Sequence, residues 1–371
     1  MVTVTNLSKF KGGILMKPRV GIIGAGIYGS NMLKAYSAAH RMGKIELVSL
    51  AEINEEVLME QERRFNVKGY TDYKDMLDEE QLDAVAIVTP DYLHREITLE
   101  VADRGIHILV QKPLDISTKG GQEMIDCAKK NNVMLYVDFH KRYDPGHIQL
   151  KNDIKSGKIG KVQYGYVWME DKIVVPSVWF KKWAQHSSPA WFIGIHFYDL
   201  IYWLLESRPK RIYATAIKDK LVSMGIDTYD SVQAKIEFEN GANFTVDASW
   251  ILPESFTAIV NQGIRVVGTK GVSEVDSENR GILRAFEDEK SAMTSNPYGN
   301  LEQESYFYGL VPQGYTYESM YYFLDLVRLL KQGYKLEDMK GIYPSGEEAL
   351  VSTQMCEAIH ESAKIAKPVD F

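Results

Sequence analysis

The chain has 371 residues, 45% of them hydrophobic and 25% charged, enough for two domains with sizeable cores. A formal net charge of −7 argues against nucleic acid or an anionic membrane surface as the main partner, and no apolar run approaches membrane-spanning length. The two cysteines, Cys127 and Cys356, stand in no metal or redox spacing, so no metal and no disulfide framework is expected, and a reducing cytoplasm is the natural setting. Residues 1–15 carry Lys9, Lys11, Gly12 and Gly13 without a continuous apolar core; they make a poor signal peptide and are expected to be a frayed extension.

The first third alternates strands and helices. The apolar run Val20, Ile22, Ile23 stops at Gly24-Ala25-Gly26-Ile27-Tyr28-Gly29, and helix-compatible sequence follows to about Met42. In this G-x-G-x-x-G spacing Gly24 permits a tight turn, Gly26 lets the backbone approach a pyrophosphate, and Gly29 lets the helix pack closely on the strand. The helix N-terminus then offers free N–H groups to phosphate. A second strand, Ile45 to Leu50, ends in Ala51-Glu52, at the distance where an acidic residue binds the adenosine ribose. A helix around Glu55 to Phe65, a short strand Val67 to Tyr70 and a helix Tyr73 to Leu77 lead to Ala84–Val88, apolar throughout as in a strand covered on both faces. That run ends at Thr89-Pro90. His107–Val110 ends at Gln111-Lys112-Pro113, and a helix Gly120 to Asn131 precedes Val133–Val137. These units predict an α/β fold, a doubly wound parallel sheet over residues 16–140. Gly24–Gly29, Glu52, Thr89–Pro90 and Gln111–Lys112 lie at the strand ends, where such sheets bind ligands.

After Phe139–Pro145 the texture changes to alternating strands: Val162–Met169, Arg211–Ala216, Ser231–Phe238, Ala242–Trp250 and Ile264–Gly268. Asn240-Gly241 between two of them is a hairpin signal. Helical patterns return at Glu318–Lys331 and Gly346–Ile365. Residues 141–371 are therefore expected to form an α+β substrate-binding and oligomerisation domain around a large, mostly antiparallel open sheet. The C-terminal helix is free to pack back on the first domain.

Taken together, these motifs resemble the Gfo/Idh/MocA family of nicotinamide-dependent oxidoreductases. The resemblance runs from the glycine turn and Glu52 through AIVTPDYLH (Ala86–His94), Gln111-Lys112-Pro113, Phe139–Pro145, GIHFYD (Gly194–Asp199) and VVGTKG (Val266–Gly271) to the tail Ala366–Val369. It implies a Rossmann domain, action mainly on sugars and cyclitols, and a homo-oligomer, dimer or tetramer, formed through the open sheet face. Two positions depart from the family pattern. Gln111 stands where the family usually has Glu, and Phe192 where it usually has Asp, so of the usual Lys–Asp–His set only Lys112 and His196 carry over. Losing a carboxylate near His196 disfavours its protonated form, and Asp199, three residues on along the same helix, is the expected substitute partner.

The chemistry suits these two side chains. Oxidising a secondary alcohol needs a base near neutrality, which His196 supplies, and a cation beside the oxygen, which Lys112 supplies. The cofactor set is Gly24, Gly26, Ile27, Tyr28, Gly29, Glu52, Thr89, Pro90, His94, Gln111 and Lys112. Glu52 accepts from ribose hydroxyls and repels a 2′-phosphate, and Ile53-Asn54 offer no cation to one, so NAD is expected over NADP. His94 is read as fixing the Thr89-Pro90 loop or a ribose. Arg142 is either a substrate contact or one half of a domain-junction ion pair. Trp183, Tyr198 and Asp199 complete the substrate-side set. Trp168, Trp179, Trp183, Trp191 and Trp203 fall in one segment, either as sugar-stacking faces or as the second domain's core. The leading expectation is an NAD-dependent dehydrogenase for a sugar, sugar derivative, glycoside or cyclitol. The alternatives are a redox-neutral, NAD-retaining enzyme that cleaves or epimerises glycosides, and a non-enzymatic NAD or sugar sensor.

Overall fold

The computed structural model describes residues 16–277, 281–287, 291–296 and 298–371, so the expected extension 1–15 lies outside the described residues. The chain divides into two compact units: one takes the residues up to His140 together with Asn300–Leu350, the other Lys141–Gly299 with Val351–Phe371.

In the first unit β1 (Arg19–Ile23), β2 (Glu46–Ala51), β3 (Lys68–Tyr70), β4 (Ala84–Ile87), β5 (His107–Val110) and β6 (Leu135–Val137) alternate with α1 (Ile27–Arg41), α2 (Glu55–Phe65), α3 (Tyr73–Glu79), α4 (His94–Asp103) and α5 (Thr118–Lys130). Among the described residues they build a six-stranded sheet in the order β3-β2-β1-β4-β5-β6, parallel throughout. This is the doubly wound α/β sheet that the strand–helix alternation predicts. Its centre is apolar because helices cover both faces: all four residues of β4 are fully buried. The helices start where local chemistry tells them to. Asn54 accepts from the amides of Glu56 and Val57 to open α2, and Ser117 accepts from Gly120 to open α5. The segment Asn300–Leu350 adds a hairpin, Leu301–Ser305 with Gly309–Gln313, and a helix, Tyr315–Lys331, that packs on α1. Nothing in its local pattern marks this return, which rests on tertiary contacts such as the Tyr136 hydroxyl on the Ser319 carbonyl at 3.0 Å.

The second unit opens with α6 (Pro145–Lys155), capped by Asp144, whose carboxylate accepts from the Gly146 amide at 2.8 Å, with proline at the helix start. There follow β7 (Val162–Lys172), the short α7 (Lys181–Ala184), α8 (Ile195–Leu205), β8 (Pro209–Ile217), the short α9 (Lys220–Ser223), β9 (Ser231–Phe238), β10 (Asn243–Leu252), β11 (Val260–Gly268) and β12 (Val272–Asp276). The sheet order is β12-β11-β7-β10-β9-β8, with Val369–Asp370 added beside β8. Pairing is antiparallel except between β7 and β10, which run parallel. Strict alternation of buried and exposed residues along β9 gives the sheet one packed and one open face. The Asn240-Gly241 turn joins β9 to β10 with Gly241 at φ +88°.

β7 and β11 meet at Trp168 and Gly263, which are opposite each other in the ladder. The Trp168 indole lies over the glycine, where a Cβ would come within 2.2 Å of a ring carbon. Gly263→Ala should therefore displace the indole and cost about 1–3 kcal/mol. Urea unfolding reads this directly, and an unchanged midpoint would show that the ring yields freely.

Candidate functional site

In the first unit the glycine turn is fixed by three backbone constraints. Gly24 adopts φ +98°, and a Cβ on it would fall 2.4 Å from the Val88 carbonyl oxygen and 3.3 Å from the Thr89 methyl. A Cβ on Gly29 would fall 2.4 Å from the Gly24 carbonyl oxygen, so the first turn of α1 can lie against the end of β1 only as glycine. Gly26 is different: a Cβ there meets nothing within 4 Å. It is the N-cap of α1 and brings no side-chain cap to the helix, in contrast to Asn54 and Ser117. The Gly24 and Ala25 amides are taken by the Ala51 carbonyl and by Glu52, while the uncapped start of α1 at Gly26 has open space beside it, which fits an incoming pyrophosphate. Ile27 is 56% exposed at the same helix start.

Glu52 closes the other side of the turn. Its Oε2 accepts from the Ala25 amide at 2.7 Å and its Oε1 from the Asn54 amide at 2.9 Å. The carboxylate is thereby oriented, and each oxygen keeps a further lone pair for a ribose hydroxyl. Ile53 beside it is 87% exposed and brings no positive charge.

Thr89, Pro90, His94, Gln111 and Lys112 gather at the ends of β4 and β5. His94 is buried at the start of α4, with Nδ1 at 2.8 Å from the Pro113 carbonyl and Nε2 at 3.0 Å from the Thr89 carbonyl. It therefore ties the loop after β4 to the residue that follows Lys112. Burial lowers its pKa, only partly offset by the nearby Asp91, so the ring is a neutral strut with one donor for two carbonyls. The Lys112–Pro113 peptide is cis.

Gln111 points its amide Nε2 at Asp138 Oδ2, 2.5 Å away, and Tyr28 donates to the same oxygen at 3.3 Å. Burial pushes the Tyr28 hydroxyl well above its ordinary range, and Asp138 pushes it further. Sequence reasoning missed Asp138. Its signal was available: it is the first polar residue after the apolar strand β6, where the sheet's other site residues also stand.

In the second unit Arg142 and Asp199 form a two-pronged ion pair, Nε to Oδ2 at 2.8 Å and Nη2 to Oδ1 at 2.5 Å, with both side chains buried. The Asp199 carboxylate, proposed from sequence as the partner of His196, is engaged by the Arg142 guanidinium. His196 lies on α8 and is 4% exposed. Tyr198 is fully buried, burial raises its hydroxyl well above the usual range, and that hydroxyl has no hydrogen-bond partner among the described residues. A Cβ on Gly194 would sit 2.7 Å from the Tyr198 hydroxyl, so the glycine before α8 makes room for this ring. π-Helical turns occur at Val175–Trp179 and Ala190–Gly194, the second running straight into α8.

The five tryptophans do not form one cluster. Trp168 stacks beside Tyr166, Trp191 against His360, and Trp203 carries the Lys151 ammonium 3.9 Å above its ring. Burial lowers the Lys151 pKa to about 8, with Glu206 opposing it. Of the remaining two, Trp179 is exposed and Trp183 is half-buried and edge-on to Phe192 at 5.0 Å, with Phe180 and then Trp250 completing an aromatic group. Phe192 is thus a packing residue within this group.

With this geometry in place, two family models match. Residues 18–139 fit "Oxidoreductase family, NAD-binding Rossmann fold", and residues 147–274 fit "GFO/IDH/MocA C-terminal domain". The chain belongs to the Gfo/Idh/MocA oxidoreductase family. Its cofactor is NAD, and the open amide cradle at Gly26 with Glu52 beside it fits that molecule. Levoglucosan dehydrogenase of Pseudarthrobacter phenanthrenivorans is 28% identical over 264 residues, covering 62% of this chain and 67% of its own. Among solved structures, myo-inositol 2-dehydrogenase from Lactobacillus plantarum superposes with a TM-score of 0.78 at 22% identity, over 96% of this chain and all of that one. The scyllo-inositol dehydrogenase of Lactobacillus casei with bound NAD(H) and scyllo-inositol does so with 0.74 at 17% identity, over 96% and 99%. At such identities the superpositions show a common fold. No helix among the described residues is long and apolar enough to cross a membrane.

The Arg142–Asp199 pair yields a sharp expectation. Asp199→Asn leaves a buried guanidinium without its counter-charge and should destabilise the protein by about 3–5 kcal/mol. Denaturant titration of the variant measures it, and a loss below about 1 kcal/mol would mean that the pair is solvated in practice.

Proposed function

We propose that this protein is an NAD-dependent dehydrogenase that oxidises a secondary hydroxyl of a sugar, sugar derivative, glycoside or cyclitol. The observation that carries the reading is the cradle at the end of β1 and β2: uncapped amides at the start of α1 and an oriented Glu52 carboxylate with no cation beside it. When bound, NAD supplies the hydride acceptor at its nicotinamide ring. The chain's own residues do the rest. The turn Gly24–Gly29 holds the pyrophosphate through backbone N–H groups, and Glu52 accepts from the adenosine ribose hydroxyls. Ile27, Tyr28, Thr89, Pro90, His94 and Gln111 frame the same site, with His94 setting the loops on either side.

In this reading His196 takes the proton of the reacting hydroxyl as general base and returns it in the reverse direction. Lys112 stabilises negative charge developing on the same oxygen. Arg142 and Asp199, neutralising each other, hold the start of the second unit against α8 and so set where His196 stands. Trp183 contributes an aromatic face for the C–H side of a ring substrate. The substrate class is supported by the levoglucosan- and inositol-oxidising relatives. We also propose a homo-oligomer, on the open face of the second unit's sheet.

Two experiments test this. Purified protein with NAD and a panel of sugars, cyclitols and glycosides should generate reduced-nicotinamide absorbance with one substrate class. Lys112→Ala and His196→Ala should each lower kcat/KM by about 100-fold or more. NAD binding without turnover across the panel would instead favour redox-neutral chemistry or sensing. Separately, Glu52→Ser combined with Ile53→Arg should shift the preference from NAD toward NADP by about tenfold or more, through removal of a repulsive carboxylate and addition of a phosphate partner. An unchanged ratio of kcat/KM values for the two cofactors would sink the role given to Glu52.

A further inference from the structure

The C-terminal helix Gly346–Ile365 is pinned to the second unit's sheet at Ser362, whose Oγ accepts from the Ala214 amide of β8 at 2.9 Å and donates to the Lys367 carbonyl at 2.6 Å. Two residues earlier the same helix carries His360, itself part of the second unit. Its Nδ1 lies 2.7 Å from the Cys356 carbonyl and its Nε2 lies 2.8 Å from the Ser188 hydroxyl. A carbonyl can only accept, so Nδ1 carries the proton, and the neutral ring offers Nε2 as acceptor to the Ser188 O–H. The lone pairs of the buried Ser188 Oγ are left for the Trp191 amide, which donates to it at 3.2 Å. The Trp191 indole stacks on the same imidazole at 5.7 Å, and the Tyr229 ring lies 6.1 Å from it. Burial holds the His360 pKa below its ordinary value, with the Cys356 carbonyl opposing, which keeps the ring in the neutral form that this pattern requires. The titratable groups in contact with the ring or its partners are Cys356, Tyr229 and, over the Tyr229 ring, Lys218.

Ser188 stands at the start of the segment that carries His196. The Phe192 amide donates to the Ser188 carbonyl at 2.9 Å, and the Ile195 amide donates to the Ala190 carbonyl across the π-helical turn. His196 is the next residue. On the other side, Thr228 Oγ1 donates to the Ser187 carbonyl at 2.6 Å. We propose that His360 is a positioning residue for His196: through Ser188 it fixes the start of the helical segment 188–205 to the C-terminal helix, and so sets where the His196 imidazole stands. The proposal rests on the reading of His196 as the acid/base group given above. A serine hydroxyl turns freely unless its proton has an acceptor. With Nε2 of His360 taking that proton, the Ser188 oxygen is held with its lone pairs toward the Trp191 amide, which caps the turn. A π-helical turn is rare, and this one is held from outside at its first polar group. Because Ser362 and His360 share one helix, the position of the turn is referred to β8, a strand of the sheet.

The test compares the wild-type protein with Ser188→Ala, His360→Phe and His360→Gln, each labelled with 13C at histidine Cε1 and titrated by NMR without cofactor. Phenylalanine keeps a ring against Trp191 but cannot accept from Ser188, whereas the glutamine amide oxygen can. The His196 signal is assigned by its loss in His196→Gln. Its titration midpoint should move by about half a unit or more, in the same direction, in Ser188→Ala and His360→Phe, and should return most of the way in His360→Gln. With NAD and a turned-over substrate, kcat should fall about tenfold in each of the first two variants, with KM for NAD little changed because the cradle lies in the first unit. The Ser188→Ala, His360→Phe double variant should fall no further than one of them alone. A His196 midpoint that stays in place in Ser188→Ala and His360→Phe would overturn the proposal. So would losses in kcat that multiply in the double variant, since the two residues would then act separately. If His360→Phe does not fold, Ser188→Ala and His360→Gln carry the same comparison: a midpoint moved by the first and kept by the second supports the proposal, and one kept by both overturns it. Absence of turnover in the wild-type protein would count against the dehydrogenase reading alone, because the titration needs neither cofactor nor substrate.

Discussion

The close approach of α1 to the end of β1 is the constraint from which the cofactor side of this protein follows. With the Gly29 Cβ position 2.4 Å from the Gly24 carbonyl, the helix is held close against the strand end, and space is left open at Gly26. Glu52 can reach the Ala25 amide only because the turn is this tight. Tyr28 is aimed at Asp138 by the same helix phase that makes Gly29 face the strand. One steric requirement thus orders an uncapped helix start, an oriented carboxylate and a buried hydroxyl. The physical content of the glycine pattern is therefore uneven: two of its glycines exclude a side chain by collision, and Gly26 leaves room for a ligand.

Polar groups buried behind this cradle are satisfied in a way that links segments far apart in sequence. His94 spans two loops through two carbonyls, and Asp138 draws in α1, the end of β5 and the helix Tyr315–Lys331. Networks of this kind fix loop positions more narrowly than apolar packing does, because hydrogen bonds lose strength steeply with misalignment. In the second unit a single ion pair does comparable work, with Arg142 clamping α8 by both nitrogens.

What could be read from the sequence was whatever depends on neighbours along the chain. The glycine turn, the apolar run of β4, the acidic end of β2 and the Asn240-Gly241 hairpin each carry their signal within a few residues. Features set by partners from elsewhere were not legible. Nothing local says that β7 and β10 run parallel, that Asn300–Leu350 returns to the first unit, or that the tryptophans of one segment disperse to three different neighbours. Asp199 is instructive: helical spacing correctly put it near His196 along the chain, but the guanidinium of Arg142, from a separate segment, engages its carboxylate. Asp138 could have been found, because a carboxylate ending an otherwise apolar strand needs an explanation.

The parallel pairing of β7 with β10 also has a kinetic side. Tyr164 finds Asn243 only after the chain between them, including α8, β8 and β9, has been made and brought round, while β9 and β10 meet across the short turn at residues 239–242. The β9–β10 hairpin can therefore form early and locally, whereas the central β7–β10 junction must await a long loop closure. Until that closure, β10 presents an unpaired edge of alternating apolar residues. The longest loop closure in the sheet of the second unit therefore lies at its centre, where an edge left open during folding is exposed to pairing with another chain.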